Sequence, residues 1–247
     1  MVLNTDQLIP GLSLDCVIFG FHENQLKVLL LRMKGIEQWA LPGGFVKKTE
    51  DVDHAAAREL KTRTGLDHIF LQQFHLFGDV RRNEDAYYRS MEAIQVIDRS
   101  MAVWLNQRFI TVGYYALVDY SKVRPQTDEI SDACAWFAWE EIPDLIIDHA
   151  LIIAKALETL RRQLNYQPIG KNLLAEKFTM PELQALYETL LDQKLDRRNF
   201  QRKIRSYGIL KRLEERRKGG AHKAPYLYVF DEQNYNKALI DGLNTGW

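Results

Sequence analysis

Glu59, Thr62 and Arg63 are the residues of this chain whose spacing bears most directly on chemistry. Asp51 is a good helix N-cap, Ala55, Ala56, Ala57 and Leu60 are strong helix formers, and Gly65 suits a left-handed position past a helix end. The sequence thus predicts a helix over about 52–64. On it, residues 59, 62 and 63 are i, i+3 and i+4 neighbours on one face. Three carboxylates so placed would suit Mg²⁺, which binds a few carboxylates together with waters and substrate phosphates. Here Arg63 offers Glu59 an i,i+4 ion pair, and Thr62 offers only a neutral hydroxyl. The face is therefore not expected to hold a divalent cation, and no catalytic residue, metal ligand or cofactor is assigned. Glu50 and Arg58 are expected to pair and tie the preceding loop to the helix. Gly43 and Gly44 would let a ligand approach the backbone closely.

A second concentration of chemistry lies near the other end. Residues 194–223 hold 12 basic and 3 acidic side chains, although the whole chain has a formal net charge of zero. That imbalance points to a polyanion partner for the C-terminal part. Asp196 is placed to cap a helix running to about Tyr207, where Gly208 stops it, with Phe200 and Ile204 on its inner side. Arg197, Arg198, Asn199, Gln201, Arg202 and Arg205 fall outside or at its start. Arginine can pair bidentately with guanine, and Asn or Gln with adenine. Arg216, Arg217, Lys218 and Lys223, with Gly219 and Gly220, read as a hairpin tip able to hold phosphates. Few exposed aromatics accompany this face, which disfavours single-stranded nucleic acid. The bland alternative is a solvated basic helix in a protein-interaction module.

These residues need elements to position them. Leu12–Phe21 and Leu26–Met33 read as a strand pair, followed after the helix by strands at His68–Phe77, Arg108–Tyr120 and Ala133–Trp139. Residues 81–107 read as an insertion. Asp148 is expected to cap a helix with apolar positions at Leu151, Ile152, Ala156 and Leu160. Asn165–Lys171 breaks the pattern and is the linker candidate, dividing the chain into domains 1–164 and 172–247. Thr179-Met-Pro-Glu182 is a capping box opening a helix with Leu183, Leu186, Tyr187 and Leu190. Ile209–Leu213 and Tyr226–Phe230 complete a helix–turn–helix with a two-stranded wing.

A hydrophobic fraction of 46% and a charged fraction of 27% are those of a globular protein. Cys16 and Cys134 read as core residues. No apolar run is long enough to span a membrane, no signal layout opens the chain, and the cytoplasm is the expected location.

Residues 44–66 resemble the Nudix box, G-x5-E-x7-R-E-U-x-E-E-x-G-U, in which U is a bulky aliphatic residue. Gly44, Glu50, Arg58, Glu59, Leu60, Gly65 and Leu66 match it; Thr62 and Arg63 replace its last two glutamates, so the metal-dependent phosphoanhydride hydrolysis that the resemblance implies is expected to be absent or vestigial. Followed by the basic module, the chain resembles the Nudix-related transcriptional regulators (NrtR-like) over nearly its whole length. Supporting stretches are Leu14–Phe21, Tyr114–Val118, Asp148-His149, Phe178–Gln184 and Arg198–Phe200. The resemblance implies an α/β fold: a Nudix-type α/β/α sandwich with a mixed sheet, then a C-terminal winged helix. It also implies a homodimer on a double-stranded, near-palindromic DNA operator, released when a small molecule fills the Nudix pocket. Asp15–Phe21 and the broken box look closer to an AraR-like branch that responds to pentoses such as arabinose. The expectation is a repressor sensing a pentose; the alternatives are an ADP-ribose-responsive regulator of NAD metabolism and a Nudix hydrolase. Asp-Val-Arg-Arg-Asn-Glu-Asp after Gly78 departs from the family's Arg-Asp-Pro order, and 83–106 is longer than typical. Effector contacts are expected from Trp39, Glu50, Arg58, Glu59, Asp79 and Arg81. Trp39 has core or dimer interface as its other reading, and Glu50–Arg58 a structural role. Asp148-His149 reads as a helix cap and a packed histidine.

Overall fold

The computed structural model describes residues 4–67, 69–82, 97, 99–127, 130–217 and 224–243. The elements, in chain order, are β1 (Leu8–His22), β2 (Gln25–Met33), β3 (Trp39–Ala40), β4 (Gly43–Lys47), α1 (Val52–Thr64), β5 (Phe70–Phe77) and α2 (Arg99–Leu105). They continue with β6 (Ile110–Val118), β7 (Ser131–Ala138), α3 (His149–Gln163), β8 (Phe178–Thr179), α4 (Met180–Leu191), α5 (Arg197–Ser206), β9 (Leu210–Arg216), β10 (Tyr226–Phe230) and α6 (Glu232–Asp241). Two compact units emerge, one of Met1–Gly20 with Lys27–Leu157, the other of Phe21–Leu26 with Glu158–Trp247.

The first unit is organised by a seven-stranded sheet with the path β3-β2-β1-β6-β5, β4 pairing with β1 and β7 with β2. β1 runs parallel to β6 from Leu12↔Ile110 to Gly20↔Val118, whereas β4, β7 and β5 pair antiparallel, so the sheet is mixed as expected. β1 and β2 are joined through Glu23 and Asn24, both at positive φ (51° and 59°). That is the backbone of the tight hairpin turns whose twist matches the flanking strands. Leu14, Cys16 and Ile18 on β1, with Tyr114, Ala116 and Val118 on β6, pack with Ala55, Ala56 and Leu60 of α1. Their alternation along both strands is the period that buries one face of a strand.

α1 ends as expected at Gly65, φ 72°. Asp51 occupies the N-cap position, but its side chain makes no cap hydrogen bond and pairs instead with His54 at 3.3 Å. On α3, Ile152, Ala156 and Leu160 are buried, whereas Leu151 is 60% exposed. A residue next to a buried one lies about 100° round the helix, which puts Leu151 off the stripe. The Asp148 side chain does not cap α3, because Arg82 engages it; only its carbonyl takes up Ile152 N–H.

In the second unit β8, β10 and β9 form a three-stranded sheet. Thr179 and Glu182 complete the capping box of α4 in both directions. α5 is capped by Asp196, which accepts from Asn199 N at 2.9 Å, and Gly208 follows it at φ 66°. Asp231 caps a further helix, α6, absent from the sequence reading. Of the 81–107 insertion, residues 83–96 and 98 lie outside the described residues; its described part includes Arg81, Arg82 and α2. Cys16 and Cys134 are not joined in a disulfide. Among the described residues no helix is long and apolar enough to cross a membrane.

Candidate functional site

α1 and the β4 loop bring Glu50, Arg58 and Glu59 together. Arg58 grips Glu50 with two bonds, Nη2 to Oε1 at 2.7 Å and Nε to Oε2 at 3.1 Å, and donates to Phe45 O at 3.0 Å. Glu50 Oε1 also accepts from Lys47 N at 2.9 Å, closing the loop on itself. The Arg58 bonds hold the Glu50 carboxyl below its usual range, and Glu50 in turn raises Arg58. The remaining guanidinium nitrogen of Arg58 donates to Glu59 Oε1. Arg63, 5% exposed, reaches within 4.0 Å of Glu59 Oε2. Thr62 turns its hydroxyl onto its own helix, donating to Arg58 O at 2.9 Å. Gly44 lies so close that a Cβ there would stand 2.6 Å from Glu59 Oε1. The cluster therefore contains two carboxylates and two guanidiniums in balance.

A second buried group of charges lies in the same unit. Arg82 donates from Nη2 to Asp15 Oδ2 at 2.9 Å and from Nε to Asp148 Oδ2 at 2.7 Å. The Asp148 Oδ1 atom is buried and has no hydrogen-bond partner among the described residues. His149 Nδ1 accepts from Leu41 N at 2.8 Å, so a neutral ring carries its proton on Nε2, 3.6 Å from Asp15 Oδ1. Burial lowers the His149 pKa, keeping the neutral form. A Cβ on Gly43 would meet Leu14 O at 2.5 Å and Asp15 Oδ1 at 2.6 Å, so the glycine backs directly onto this group.

Asp79 and Arg81 are exposed and bonded to each other, with Arg81 N donating to Asp79 Oδ1 at 2.8 Å. The next residue, Arg82, turns inward. Trp39 is half-buried, edge-on to Phe137 at 4.6 Å, with the Arg32 guanidinium 5.8 Å from its ring. The structure thus joins three of the six expected effector residues by direct bonds, while Trp39 packs on Phe137 and Asp79 and Arg81 bond to each other. The sequence reading missed Asp15 and Arg82. Asp148 and His149, read as a cap and a packed residue, complete their group.

In the second unit α5 buries Phe200 and Ile204, with the Phe200 ring 5.6 Å from Tyr187 on α4. This is the packing of the paired helices expected from sequence. The outer face shows Arg197, Arg198, Asn199, Arg202 and Arg205, all exposed, with Gln201 half-buried. Arg202 donates to Asn199 Oδ1 at 3.0 Å, which orients the amide. Arg217 is bonded to both carboxylate oxygens of Glu182, each at 2.6 Å. Arg216 donates to Tyr226 Oη at 2.5 Å. Lys218 and Lys223 lie outside the described residues.

Comparison with known proteins matches residues 10–160 to the NUDIX domain. The chain belongs to the NUDIX family. Residues 170–230 of this NUDIX protein match the NrtR DNA-binding winged helix domain, so the combination is NrtR-like, as the sequence implied. It is similar to the "ADPR responsive transcriptional repressor NtrR" of Acinetobacter baylyi, 27% identical over 239 residues, spanning 94% of this chain and 86% of the relative. It is also similar to Shewanella oneidensis NrtR crystallised with a 27mer DNA (TM-score 0.74, 26% identity), covering 96% of this chain and 99% of that one. A MutT/nudix family protein of Enterococcus faecalis shares the fold at 22% identity and a TM-score of 0.66, over 90% of this chain and 88% of that one.

The NUDIX fold raises the question of Mg²⁺, and the residues present do not fit it. Glu59 is engaged by two guanidiniums, Thr62 faces its own helix, and Arg63 fills a ligand position with positive charge. Among the described residues no three His, Cys, Asp or Glu side chains are grouped for a metal.

Proposed function

We propose that this NUDIX protein is a DNA-binding transcriptional repressor whose Nudix unit senses a small molecule without hydrolysing it. The observation that carries the reading is the exposed cationic face of α5, ordered by Asp196 at its start and by Phe200 and Ile204 beneath it. A recognition helix works by setting its N-terminal side chains against base edges in the major groove. The charge-balanced Glu50–Arg58–Glu59–Arg63 cluster supports the absence of hydrolysis. For the effector, ADP-ribose takes precedence over a pentose. The A. baylyi relative is named as ADPR responsive, and none of the relatives described above names a pentose. A homodimer on a near-palindromic operator, acting in the cytoplasm, belongs to the same proposal, as does residues 165–171 serving as the connection. The effector must favour the arrangement that does not bind DNA, since equal affinity for both arrangements shifts nothing.

The test is selection of operators from genomic fragments, repeated with ADP-ribose, arabinose and ribose. The expected result is a near-palindromic site that ADP-ribose releases and the pentoses do not. No preference over random DNA, or robust Mg²⁺-driven breakdown of ADP-ribose by the unaltered protein, would sink the proposal.

A further inference from the structure

The β9–β10 hairpin carries an arrangement that the sequence reading did not anticipate. Arg212 and Arg216 are four residues apart on β9, on either side of an irregularity in its pairing with β10. Arg216 stands opposite Tyr226 and Arg212 opposite Tyr228. Both guanidiniums converge on the Tyr226 ring, with their central carbons 4.6 Å (Arg212) and 4.0 Å (Arg216) from its centroid. That is well within the range of attraction between a cation and an aromatic face.

Among the described residues of the hairpin, charge accounting singles out these two. Lys211 is paired with Asp231 at 3.0 Å, Arg217 with Glu182, and Glu215 is taken by Lys177 at 2.8 Å. Arg216 bonds to neutral acceptors, Ala224 O at 3.3 Å and Tyr226 Oη, and pairs with no carboxylate among the described residues. Among the described residues the one carboxylate paired with Arg212 is that of Glu214 at 3.7 Å, whose side chain is 90% exposed. Such a pair is weak and readily displaced. A guanidinium stacked on a ring has its orientation set in advance, and that of Arg212 keeps its N–H edge for a bidentate anion, while Arg216 is held in place by its bonds to Ala224 O and Tyr226 Oη.

We propose that Arg212, Tyr226 and Arg216 form a clamp for phosphodiester groups of the DNA backbone, with Tyr226 as the positioning residue. The inference rests on the DNA-binding reading above and deepens it. Neither Arg212 nor Tyr226 reads base edges, so the clamp contributes equally on every sequence.

The test is fluorescence anisotropy of the full chain on a random-sequence duplex of about 30 base pairs, titrated from about 50 to about 200 mM salt. Removing one cation that neutralises a phosphate lowers the slope of log affinity against log salt by about 0.9. Arg212→Gln is expected to lower it by about 0.9, and Arg212→Gln combined with Arg216→Gln by about 1.8. Tyr226→Leu keeps both charges but frees their orientation, and is expected to lower the slope by less than about 1.8. Tyr226→Phe keeps the aromatic face and is expected to stay near the unaltered protein. If Tyr226→Leu fails to fold by circular dichroism, the exposed Arg212→Gln carries the test. Unchanged slopes in folded variants, with the unaltered protein binding, overturn the clamp and leave DNA binding intact. An unaltered protein that binds no duplex overturns both.

Discussion

Replacing Arg82 by Ala would leave two carboxylates, Asp15 and Asp148, facing each other with their common cation gone. The Arg82 side chain is 4% exposed and that of Asp15 10%, so solvent cannot take over its role. Each pair, with charge centres about 4 Å apart, is worth about 4 kcal/mol at an effective dielectric of about 20. The desolvation of three ionised groups and the mutual repulsion of the carboxylates offset much of that sum. Removal of one partner from a buried ion pair costs about 3–5 kcal/mol, because the other charge stays buried and uncompensated. At about 2–4 °C per kcal/mol for a unit of this size, the melting temperature should fall by roughly 6–20 °C. Scanning calorimetry and near-UV circular dichroism of the first unit measure it. Adding Asp15→Asn and Asp148→Asn to Arg82→Met removes all three charges and should recover at least half of the loss, since neutral replacement of buried ion pairs is often tolerated. A loss below about 1 kcal/mol for Arg82→Ala, within the range of an exposed pair, would refute the argument.

The low pKa of His149 makes a pH prediction. Its folded value lies below the unfolded 6.5, so the unfolded chain binds the proton first as pH falls. Stability from this group is complete above about 6.5 and declines below it, by at most about 1.4 kcal/mol per pH unit. Denaturant titrations at stepped pH should show that decline in the unaltered protein and a flatter profile in His149→Gln. Thr179→Ala removes the α4 cap and should cost about 0.5–2 kcal/mol, read from the shift in urea midpoint. Arg198→Ala and Asn199→Ala should each reduce discrimination between operator and random duplex by about 1–3 kcal/mol in competition titrations. Equal losses on both duplexes would remove those residues from base reading.

The positions that could be read from sequence are those governed by near neighbours. Thr179 and Glu182 are three residues apart, Asp196 and Asn199 likewise, and α4 and α5 start where those caps place them. Glu50 and Arg58 are eight apart across one loop, and they meet as the box pattern implies. Arg82 is the opposite case. Its partners Asp15 and Asp148 lie 67 and 66 residues away, and local sequence offers no reason to prefer it over Arg81. Leu151 fails for a related reason, since hydrophobicity alone does not say where a helical stripe is centred. Arg212 and Tyr226 meet across a strand pair whose register the intervening basic loop conceals.

The parallel pairing of β1 with β6 has a consequence for how the chain acquires its shape. Ser13 and Thr111, partners in that ladder, are 98 residues apart. Closing so long a loop is slow relative to forming neighbouring turns and helices. During synthesis the edge of β1 that pairs with β6 must wait until β6 leaves the ribosome. α4, α5, β9 and β10, by contrast, find their partners within a few tens of residues. Chaperone demand should therefore fall on the first unit, and refolding from denaturant should show a fast phase from the helical module ahead of a slower one from the sheet.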